Sequence, residues 1–214
     1  MNRDTNQQQP SGARRAGQQA GRPEGRRSPL LAFWLSGLLA CTALLAPLGA
    51  RAADSAAVLE YKVKAGYLFN FARFIEWPES AFPSTNSPFV IGVLDGGEAS
   101  PVLRSLFEGK QVNGRPVEVR SVFPETIGKD IHILLVTRAA GKTPEDLRKF
   151  AGSAPMMMVG ETDEFAERGG GIGFVREEES VRLTLCLEHA TEAGLKVSSK
   201  LSNVAKLVKS KRKK

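Results

Sequence analysis

The clearest pattern of apolar and polar positions lies between residues 58 and 77, where apolar side chains recur every three to four positions. One row comprises Tyr61, Ala65, Leu68, Ala72 and Ile75, and an adjacent row comprises Val63, Tyr67, Phe71 and Phe74. Two adjacent rows make an apolar arc wider than a surface helix needs, so the pattern predicts a helix that packs against more than one neighbour. The helix is expected to end at Trp77-Pro78, because the residue before a proline is driven away from helical backbone angles.

The second, aromatic row of this helix has two interpretations. Aromatic side chains dominate hydrophobic cores, and core packing is the favoured interpretation. They are also enriched at binding interfaces. A contact surface for a partner helix, or for a second copy of the chain in a homodimer, is therefore the alternative.

Beyond this helix, strand-like and helix-like patterns alternate. Continuous apolar runs at 89–94 and 131–136 predict strands that are buried on both faces. The other predicted elements are a helix at 100–107, a strand at 117–122, a helix at 144–150, a strand at 156–159, a helical turn at 164–167 and a strand at 172–175. This alternation predicts a single α/β domain, residues 53–208, with a mixed, largely parallel sheet flanked by helices.

Two further elements are predicted near the C-terminus. Alternation over residues 181–187 predicts a strand with one apolar face, formed by Val181, Leu183, Leu185 and Leu187. Helical spacing over residues 201–208 predicts a final helix, with Ser198 or Ser199 as its N-cap.

An apolar block at residues 30–48 precedes the domain and follows a polar segment that carries several arginines. The block is followed by Ala50-Arg51-Ala52, which matches the A-x-A pattern of a signal-peptide cleavage site. The order of these segments predicts a secretory signal peptide, residues 1–52, that is cleaved after Ala52. The mature chain is then expected to act outside the cytoplasm.

Three features of this leader leave alternatives open. The apolar block is about as long as the ~20 residues that a membrane-spanning helix needs, so an uncleaved anchor is one alternative. Leu38-Leu39-Ala40-Cys41 faintly resembles a lipoprotein box, in which Cys41 would be acylated. Arg26-Arg27 resembles a twin-arginine signal, so the export route, general secretory or twin-arginine, stays open.

The net charge of the chain, +7, is concentrated at its two ends. Residues 1–52 carry +5 and the terminal tail, residues 209–214, carries another +5, which leaves −3 for the folded body. A body with no basic excess does not attract polyphosphate, so no nucleic-acid partner is expected. The tail is predicted to be solvated and disordered, and contact with anionic lipid headgroups at a membrane surface is the alternative.

The residues that most resemble catalytic or metal-binding groups are two histidines and one cysteine. His132 lies in a predicted buried strand, and Cys186 precedes His189 by three positions. A Cys-His nucleophile pair or a metal site is one interpretation, and a packed histidine beside an inert thiol is the favoured one. Because Cys41 leaves with the leader, Cys186 is the only thiol of the mature chain and no intrachain disulfide can form.

Three other motifs do not fit the chemistry that they resemble. The glycine-rich stretch 169–173 leads into a predicted strand rather than a helix N-terminus, which indicates a tight turn instead of a phosphate cradle. The consecutive methionines 156–158 point to alternating faces of a strand and do not converge on one copper ion. Ser198-Ser199-Lys200 lacks the S-x-x-K spacing of serine acyl-enzymes. We therefore predict that the protein is not an enzyme, with no catalytic, cofactor-binding or metal-binding residues.

Five segments of the chain, taken in order, resemble the YfiR family of exported bacterial proteins. They are EYKVKAGYLFNFARFIEWP at 60–78, FVIGVL at 89–94, GKQVNGRPV at 109–117, FAERGGGIGF at 165–174 and AGLKVSSKL at 193–201. Together they span essentially the whole predicted domain.

The resemblance implies a periplasmic regulatory protein. The best understood member of the family represses an inner-membrane diguanylate cyclase by engaging its periplasmic sensor domain, which lowers cyclic di-GMP output and affects biofilm formation. The resemblance implies the same class of partner for this chain. Some members form disulfides, but redox control through an intrachain bridge is not expected here because Cys186 stands alone.

A periplasmic protein that binds or senses a small ligand is the alternative function. Open α/β sheets place ligand crevices beyond the carboxyl ends of their strands. The turns after Leu94 and Val136 are the positions where such a crevice is expected.

Overall fold

A computed structural model describes residues 48–177 and 180–212. The predictions for the leader up to residue 47, including the alternatives at Cys41 and Arg26-Arg27, lie outside these residues. Helix α1 spans Leu48–Phe74 and so begins before residue 58, where its apolar pattern starts. The predicted cleavage after Ala52 falls within the first turns of α1.

Helix α1 ends at Phe74 rather than at Trp77, because the chain changes there from helical to sheet hydrogen bonds. Strand β1, Ile75–Glu76, pairs antiparallel with strand β9, Lys196–Val197. The carbonyl oxygen of Phe74 accepts a hydrogen bond from the amide of Ser198 at 2.9 Å. A partner that is distant in sequence therefore sets this helix end.

An eight-stranded sheet forms the centre of the domain, and five adjacent strands of it are parallel. The parallel strands are β2 Phe89–Leu94, β4 Arg115–Val122, β5 Ile133–Val136, β6 Met157–Gly160 and β7 Ile172–Glu177. The remaining strands are β3 Gln111–Val112, antiparallel to β4, β8 Ser180–Leu185, antiparallel to β7, and β10 Lys206–Leu207, parallel to β8. The spatial order β10-β8-β7-β6-β5-β2-β4-β3 confirms the predicted mixed, largely parallel α/β sheet.

Helices flank this sheet, and side-chain caps explain where two of them begin. The helices after α1 are α2 Ala99–Phe107, α3 Pro144–Ala151, α4 Leu187–Glu192 and α5 Ser199–Val204. Thr143 and Asp146 form a capping box at the start of α3, in which each side chain accepts a hydrogen bond from the other residue's amide. Ser198 caps α5, because its Oγ accepts a hydrogen bond from the amide of Lys200 at 3.3 Å.

The sheet carries a hydrophobic core on each face, and alternate strand residues divide between the two cores. Ile91 and Val93 of β2 pack on the face that α1, α2 and α4 cover. Val90 and Leu94 pack on the opposite face with Leu147 of α3. Helices cover the central strands on both faces, and this is why the sequences of these strands are continuously apolar.

The C-terminal elements differ from their predictions. Strand β8 ends at Leu185, and Leu187 begins α4 with its side chain exposed instead of continuing the apolar face of the strand. Helix α5 ends at Val204, and the amide of Val208 donates to the carbonyl oxygen of Leu185 at 3.0 Å. The physical reason is the open edge of β8, whose backbone groups gain partners when β10 pairs with it.

The basic tail contacts the domain over its described part, residues 209–212. The amide of Lys211 donates to the carbonyl oxygen of Glu167 at 2.7 Å, and the Arg212 guanidinium lies 2.9 Å from the carboxylate of Glu192. This arrangement differs from the predicted solvated, disordered tail. The difference arises because acidic side chains and backbone acceptors lie beside the chain as it leaves β10.

Candidate functional site: the groove along the first helix

Cys186 and His189 make their hydrogen bonds to different partners. The Cys186 thiol is directed at Glu188 Oε2 at 3.4 Å, whereas His189 Nε2 lies 3.1 Å from the carbonyl oxygen of Met156. Burial raises the pKa of the Cys186 thiol and lowers the pKa of His189 to about 4. A neutral thiol that points at a carboxylate is a poor nucleophile, so the geometry favours packing roles for both residues.

His132 lies just before β5, in a stack of aromatic rings. Its ring centre is 4.4 Å from that of Phe82 and 4.7 Å from that of Phe89. Its Nδ1 accepts a hydrogen bond from the amide of Val90 at 3.0 Å, which fixes the plane of the ring. Burial lowers the pKa of His132 to about 4, so the imidazole is neutral near pH 7.

The glycine-rich stretch before β7 is a turn that packs closely against the sheet. A Cβ atom at Gly171 would overlap Met157 Sδ and would lie 2.8 Å from His189 Cδ2. A Cβ atom at Gly170 would overlap the ring of Phe165. The stretch therefore needs glycine for close approach, and it leads into β7 rather than into a helix N-terminus that could hold phosphate.

The consecutive methionines divide between the two cores. Met157 packs on the α1 side of the sheet, whereas Met156 and Met158 pack on the α3 side, which is the alternation that a strand requires. Within residues 48–177 and 180–212, no group of three His, Cys, Asp or Glu side chains is placed to hold a metal ion.

The turns after β2 and β5 differ from each other. After β2, the Ser100 and Ser121 hydroxyls lie 2.6 Å apart, and a Cβ atom at Gly96 would be only 2.7 Å from Ser121 Oγ, so this turn is closed by contacts within the domain. After β5, the amide of Arg138 donates to Glu161 Oε2 at 2.9 Å, and the Arg138 guanidinium donates to the carbonyl oxygen of Glu161 at 2.8 Å. This second turn borders a groove.

A buried ion pair fixes α1 to this edge of the sheet. Lys64 Nζ lies 2.7 Å from Glu161 Oε1, just beyond the end of β6, and 2.5 Å from Glu60 Oε1 one helical turn away. Lys64 is 4% exposed and Glu161 is 6% exposed. Because both charges are paired and hydrogen-bonded, the arrangement avoids the large penalty of an isolated buried charge. The ion pair therefore sets the position of α1 relative to β6.

The ion pair also shapes the electrostatics of nearby groups. The hydrogen bond from Lys64 holds the pKa of Glu60 below its usual value. Burial, with the Glu161 carboxylate adding to it, raises the pKa of Tyr61 to about 12. Lys64 Nζ also lies 5.0 Å from the centre of the Tyr61 ring. Near pH 7 the site thus contains a charged Glu60 carboxylate and a neutral Tyr61 phenol.

The α1 groove is the cavity that Glu60, Lys64 and Glu161 border, and its volume is about 570 Å³. Its apolar lining comes from α1 and the β7–β8 hairpin and includes Leu59, Val63, Tyr67, Phe174 and Val181. Leu59 is 63% exposed and Val63 is 46% exposed, although both belong to the apolar part of an otherwise well-packed helix. Arg138 and Arg176 contribute charge to the lining. An apolar strip bordered by charged groups is typical of a protein-binding surface.

The structure divides the aromatic row of α1 between the core and this groove. Phe71 is completely buried, as the core interpretation predicts. Tyr67 is half-buried and contacts Phe174 edge-on, with 5.8 Å between the ring centres. Val63 is the exposed member of the row. The alternative interpretation, a contact surface, therefore fits the N-terminal part of the row.

Sequence reasoning did not single out the Lys64–Glu161 pair. The available signal was the position of Lys64 between the two apolar rows of α1, where a charged side chain must find a partner when it is buried. Its partner could not be read from the sequence, because Glu161 is 97 residues away and follows a different element.

The fold and the groove together define an α/β domain with a partly apolar groove beside the carboxyl ends of its parallel strands. The family model described as YfiR/HmsC-like matches residues 61–206, from the first turns of the apolar pattern of α1 to β10. The chain therefore belongs to the YfiR/HmsC-like family, which confirms the resemblance found in the five sequence segments. No curated protein matches the chain.

Proposed function

We propose that the protein is an exported periplasmic repressor that binds the periplasmic sensor domain of an inner-membrane diguanylate cyclase and lowers cyclic di-GMP output. Membership of the YfiR/HmsC-like family supports a regulatory role of this kind. The observation that carries the proposal for this chain is the α1 groove, where Leu59 and Val63 present apolar surface above a fixed ion pair. Such a surface acts by contact and needs no reacting group.

The proposal places the domain on the periplasmic side of the inner membrane. Cleavage after Ala52 would leave a mature chain that begins at Ala53. In the part of the chain that the structure describes, no helix is both long enough and apolar enough to cross a bilayer. N-terminal sequencing of the exported protein should begin at Ala53, and a chain that begins at Cys41 would contradict this assignment.

The groove supplies affinity and orientation through different residues. Covering Leu59 and Val63 would contribute about 1 to 2 kcal/mol each, because part of each side chain is already buried in the free protein. Arg138 and Arg176 would orient a partner segment that carries acidic groups beside its apolar residues. A segment with both features is the partner chemistry that the groove favours.

Repression requires that the protein prefer one state of the cyclase. A ligand that binds two states equally well shifts no equilibrium, so the repressor must bind the inactive sensor domain more tightly. Reversing a tenfold preference for the active state takes about 100-fold tighter binding to the inactive state, or about 2.7 kcal/mol. Contacts at Leu59 and Val63 that form only with the inactive state would supply a difference of this size.

Gene deletion with complementation tests the proposed function. Deletion should raise cellular cyclic di-GMP, and the wild-type gene should restore the original level. The double variant Leu59→Asp/Val63→Asp should be exported normally but should not restore it, because two carboxylates would oppose the apolar contact. Phe123→Asp, at a residue 57% exposed and outside the groove, is the matched control and should restore it.

Two outcomes of this experiment would contradict different parts of the proposal. Unchanged cyclic di-GMP after deletion, in a strain whose cyclase is intact, would contradict the repressor function. Full restoration by the double variant would leave repression in place but would exclude the α1 groove as the contact site.

A further inference from the structure

We propose that a second cavity, at the C-terminal end of α1, binds a small organic monoanion with a carboxylate and a flat apolar body. The cavity has a volume of about 360 Å³, which is within the range of small-molecule pockets. It lies between the end of α1, strand β1 and the β3–β4 hairpin. Its apolar walls include Ala72, Ile75 and Val112, and its polar groups come from Glu76, Trp77, Asn113 and Arg115.

A column of stacked groups makes one side of this cavity rigid. The Arg115 guanidinium lies 3.9 Å from the centre of the Phe82 ring. Phe82 stacks on His132, and His132 stacks on Phe89. Trp77 then meets Phe89 edge-on, with 4.9 Å between the ring centres. The side chains that line the cavity are thus held in place before any ligand enters.

Arg115 presents oriented donors at this cavity. Its Nη1 donates to the carbonyl oxygens of Ser84 and Ser87, at 3.0 and 2.9 Å. These two bonds and the stacking on Phe82 fix the plane of the guanidinium. Its Nε and Nη2 make no hydrogen bond to the residues that the structure describes. A planar guanidinium with free donors is the group that binds a carboxylate best.

Trp77 supplies a second donor that lacks an acceptor. Its indole Nε1 is buried and has no hydrogen-bond partner within residues 48–177 and 180–212. Buried donors are almost always paired in folded proteins, and Trp77 lines the cavity, so we assign the missing acceptor of its indole N–H to the bound molecule.

The charges around the cavity select the class of ligand. Arg115 disfavours a cation and compensates one negative charge. Glu76 also lines the cavity with an exposed carboxylate, so a dianion such as inorganic phosphate would meet repulsion. A carboxylate carries a single negative charge and can accept hydrogen bonds from both Arg115 and Trp77. The apolar walls of the cavity favour a ligand with a flat hydrocarbon body.

Benzoate is a suitable probe, and Trp77 is its reporter. The chain has two tryptophans, Trp34 and Trp77, so the full chain carrying Trp34→Phe has a single indole, next to the cavity. Titration with benzoate should shift the indole Nε1–H resonance of Trp77 saturably in the ¹H–¹⁵N spectrum. Benzylammonium and inorganic phosphate, tested at the same concentrations, should not shift it.

Two substitutions test the assigned contacts. Arg115→Gln should weaken benzoate binding about tenfold or more, because it removes a charged donor. Arg120→Gln, on the same strand but outside the cavity, is the matched control and should leave the affinity unchanged. Glu76→Gln should tighten binding, because it removes a negative charge beside the ligand. Glu76 is exposed and is not part of the column of stacked side chains, so this variant should fold normally.

The proposal is overturned if benzoate causes no saturable shift of the Trp77 resonance in the Trp34→Phe protein. In that protein the cavity residues are unchanged, so a lost fold of the cavity would not explain the result. The proposal is also overturned if benzylammonium or phosphate binds as well as benzoate, or if Glu76→Gln and folded Arg115→Gln both leave the affinity unchanged. Because the measurement uses the purified protein alone, its result does not depend on the proposed repressor function.

Discussion

At the scale of single residues, the Lys64–Glu161 pair shows how a charged group is accommodated inside an apolar helix face. Lys64 sits between two rows of core residues, yet it gains two carboxylates and the nearby ring of Tyr61. Such pairs add little net stability compared with well-packed apolar residues, but breaking one leaves a buried charge without its partner. The pair is therefore expected to matter more for the position of α1 than for the total stability.

Replacing only one member of the pair should be costly. Lys64→Met leaves Glu161 buried and is expected to lower the free energy of unfolding by about 3 kcal/mol or more. The double variant Lys64→Met/Glu161→Met should recover part of that loss, because the amide of Arg138 still loses its acceptor on Glu161. Urea unfolding measures both, and Arg182→Met, which breaks the exposed pair with Glu177, should cost less than about 1 kcal/mol. Equal losses in Lys64→Met and Arg182→Met would contradict this account.

The two buried histidines should make stability depend on pH. Burial lowers the pKa of His132 and His189 to about 4, whereas both titrate near 6.5 in the unfolded chain. Between these values the unfolded chain binds more protons, so stability is full above about pH 6.5 and is lost as the pH falls toward 4. Each histidine should contribute a slope of about 1.4 kcal/mol per pH unit within this window.

Urea unfolding at pH 7 and pH 5 measures this dependence. His132→Phe keeps an aromatic ring in the stack and should reduce the slope by about the contribution of one proton. A wild-type free energy of unfolding that does not change between pH 7 and pH 5 would contradict the burial of neutral histidines.

At the scale of elements, the sequence predicts the central strands well and the element ends poorly. The run Phe89–Leu94 has the bounds that its continuous apolar pattern predicts, because a strand covered on both faces carries that signal along its whole length. The end of α1 is different, since Ile75 is apolar in both a helix and a strand. Only its pairing with Val197 decides which structure forms.

The misplaced C-terminal elements have a similar physical cause. Leu187 continues the alternation of β8, yet the strand ends at Leu185 and α4 begins. The alternation of apolar and polar residues predicts which side chains share a face, but it does not predict where the hydrogen bonds of the sheet end. Likewise, the pairing of β10 with β8 depends on backbone groups, which leave little trace in the side-chain pattern.

The candidate site was only partly predictable for the same reason. The aromatic row of α1 was predicted to be core, with a contact surface as the alternative, and Val63 and Tyr67 of that row line the groove. The ion pair and the hairpin lining arise from segments that meet only in the folded chain. Sequence reasoning placed a crevice at the turn after Val136, and Arg138 in that turn does border the groove.

Two glycines, one in the turn before β7 and one in α1, should respond in opposite ways to alanine. Gly171→Ala should destabilise the protein by about 1 to 3 kcal/mol, because the added methyl group overlaps Met157. Gly66→Ala should stabilise it by up to about 1 kcal/mol, since Gly66 lies within α1 and nothing lies within 4 Å of an added Cβ. Urea unfolding measures both, and a destabilised Gly66→Ala variant would contradict the described packing of α1.

At the scale of the whole molecule, one helix connects the two surfaces that we assign. The α1 groove uses residues from the middle of the helix, such as Leu59 and Val63. The carboxylate cavity uses its last turn and the residues just beyond it, including Ala72 and Trp77. The intervening Leu68 and Phe71 are fully buried against the sheet, so the domain presents both surfaces on one rigid frame.

Binding of the purified exported protein to the purified periplasmic sensor domain of its cyclase tests the central claim most directly. The wild-type protein should bind with a Kd of about 1 μM or tighter. The Leu59→Asp/Val63→Asp variant should bind at least about 30-fold more weakly, and Phe123→Asp should bind like wild type. No wild-type binding at about 100 μM, or equal affinity of the wild type and the double variant, would contradict the claim that the α1 groove holds the cyclase.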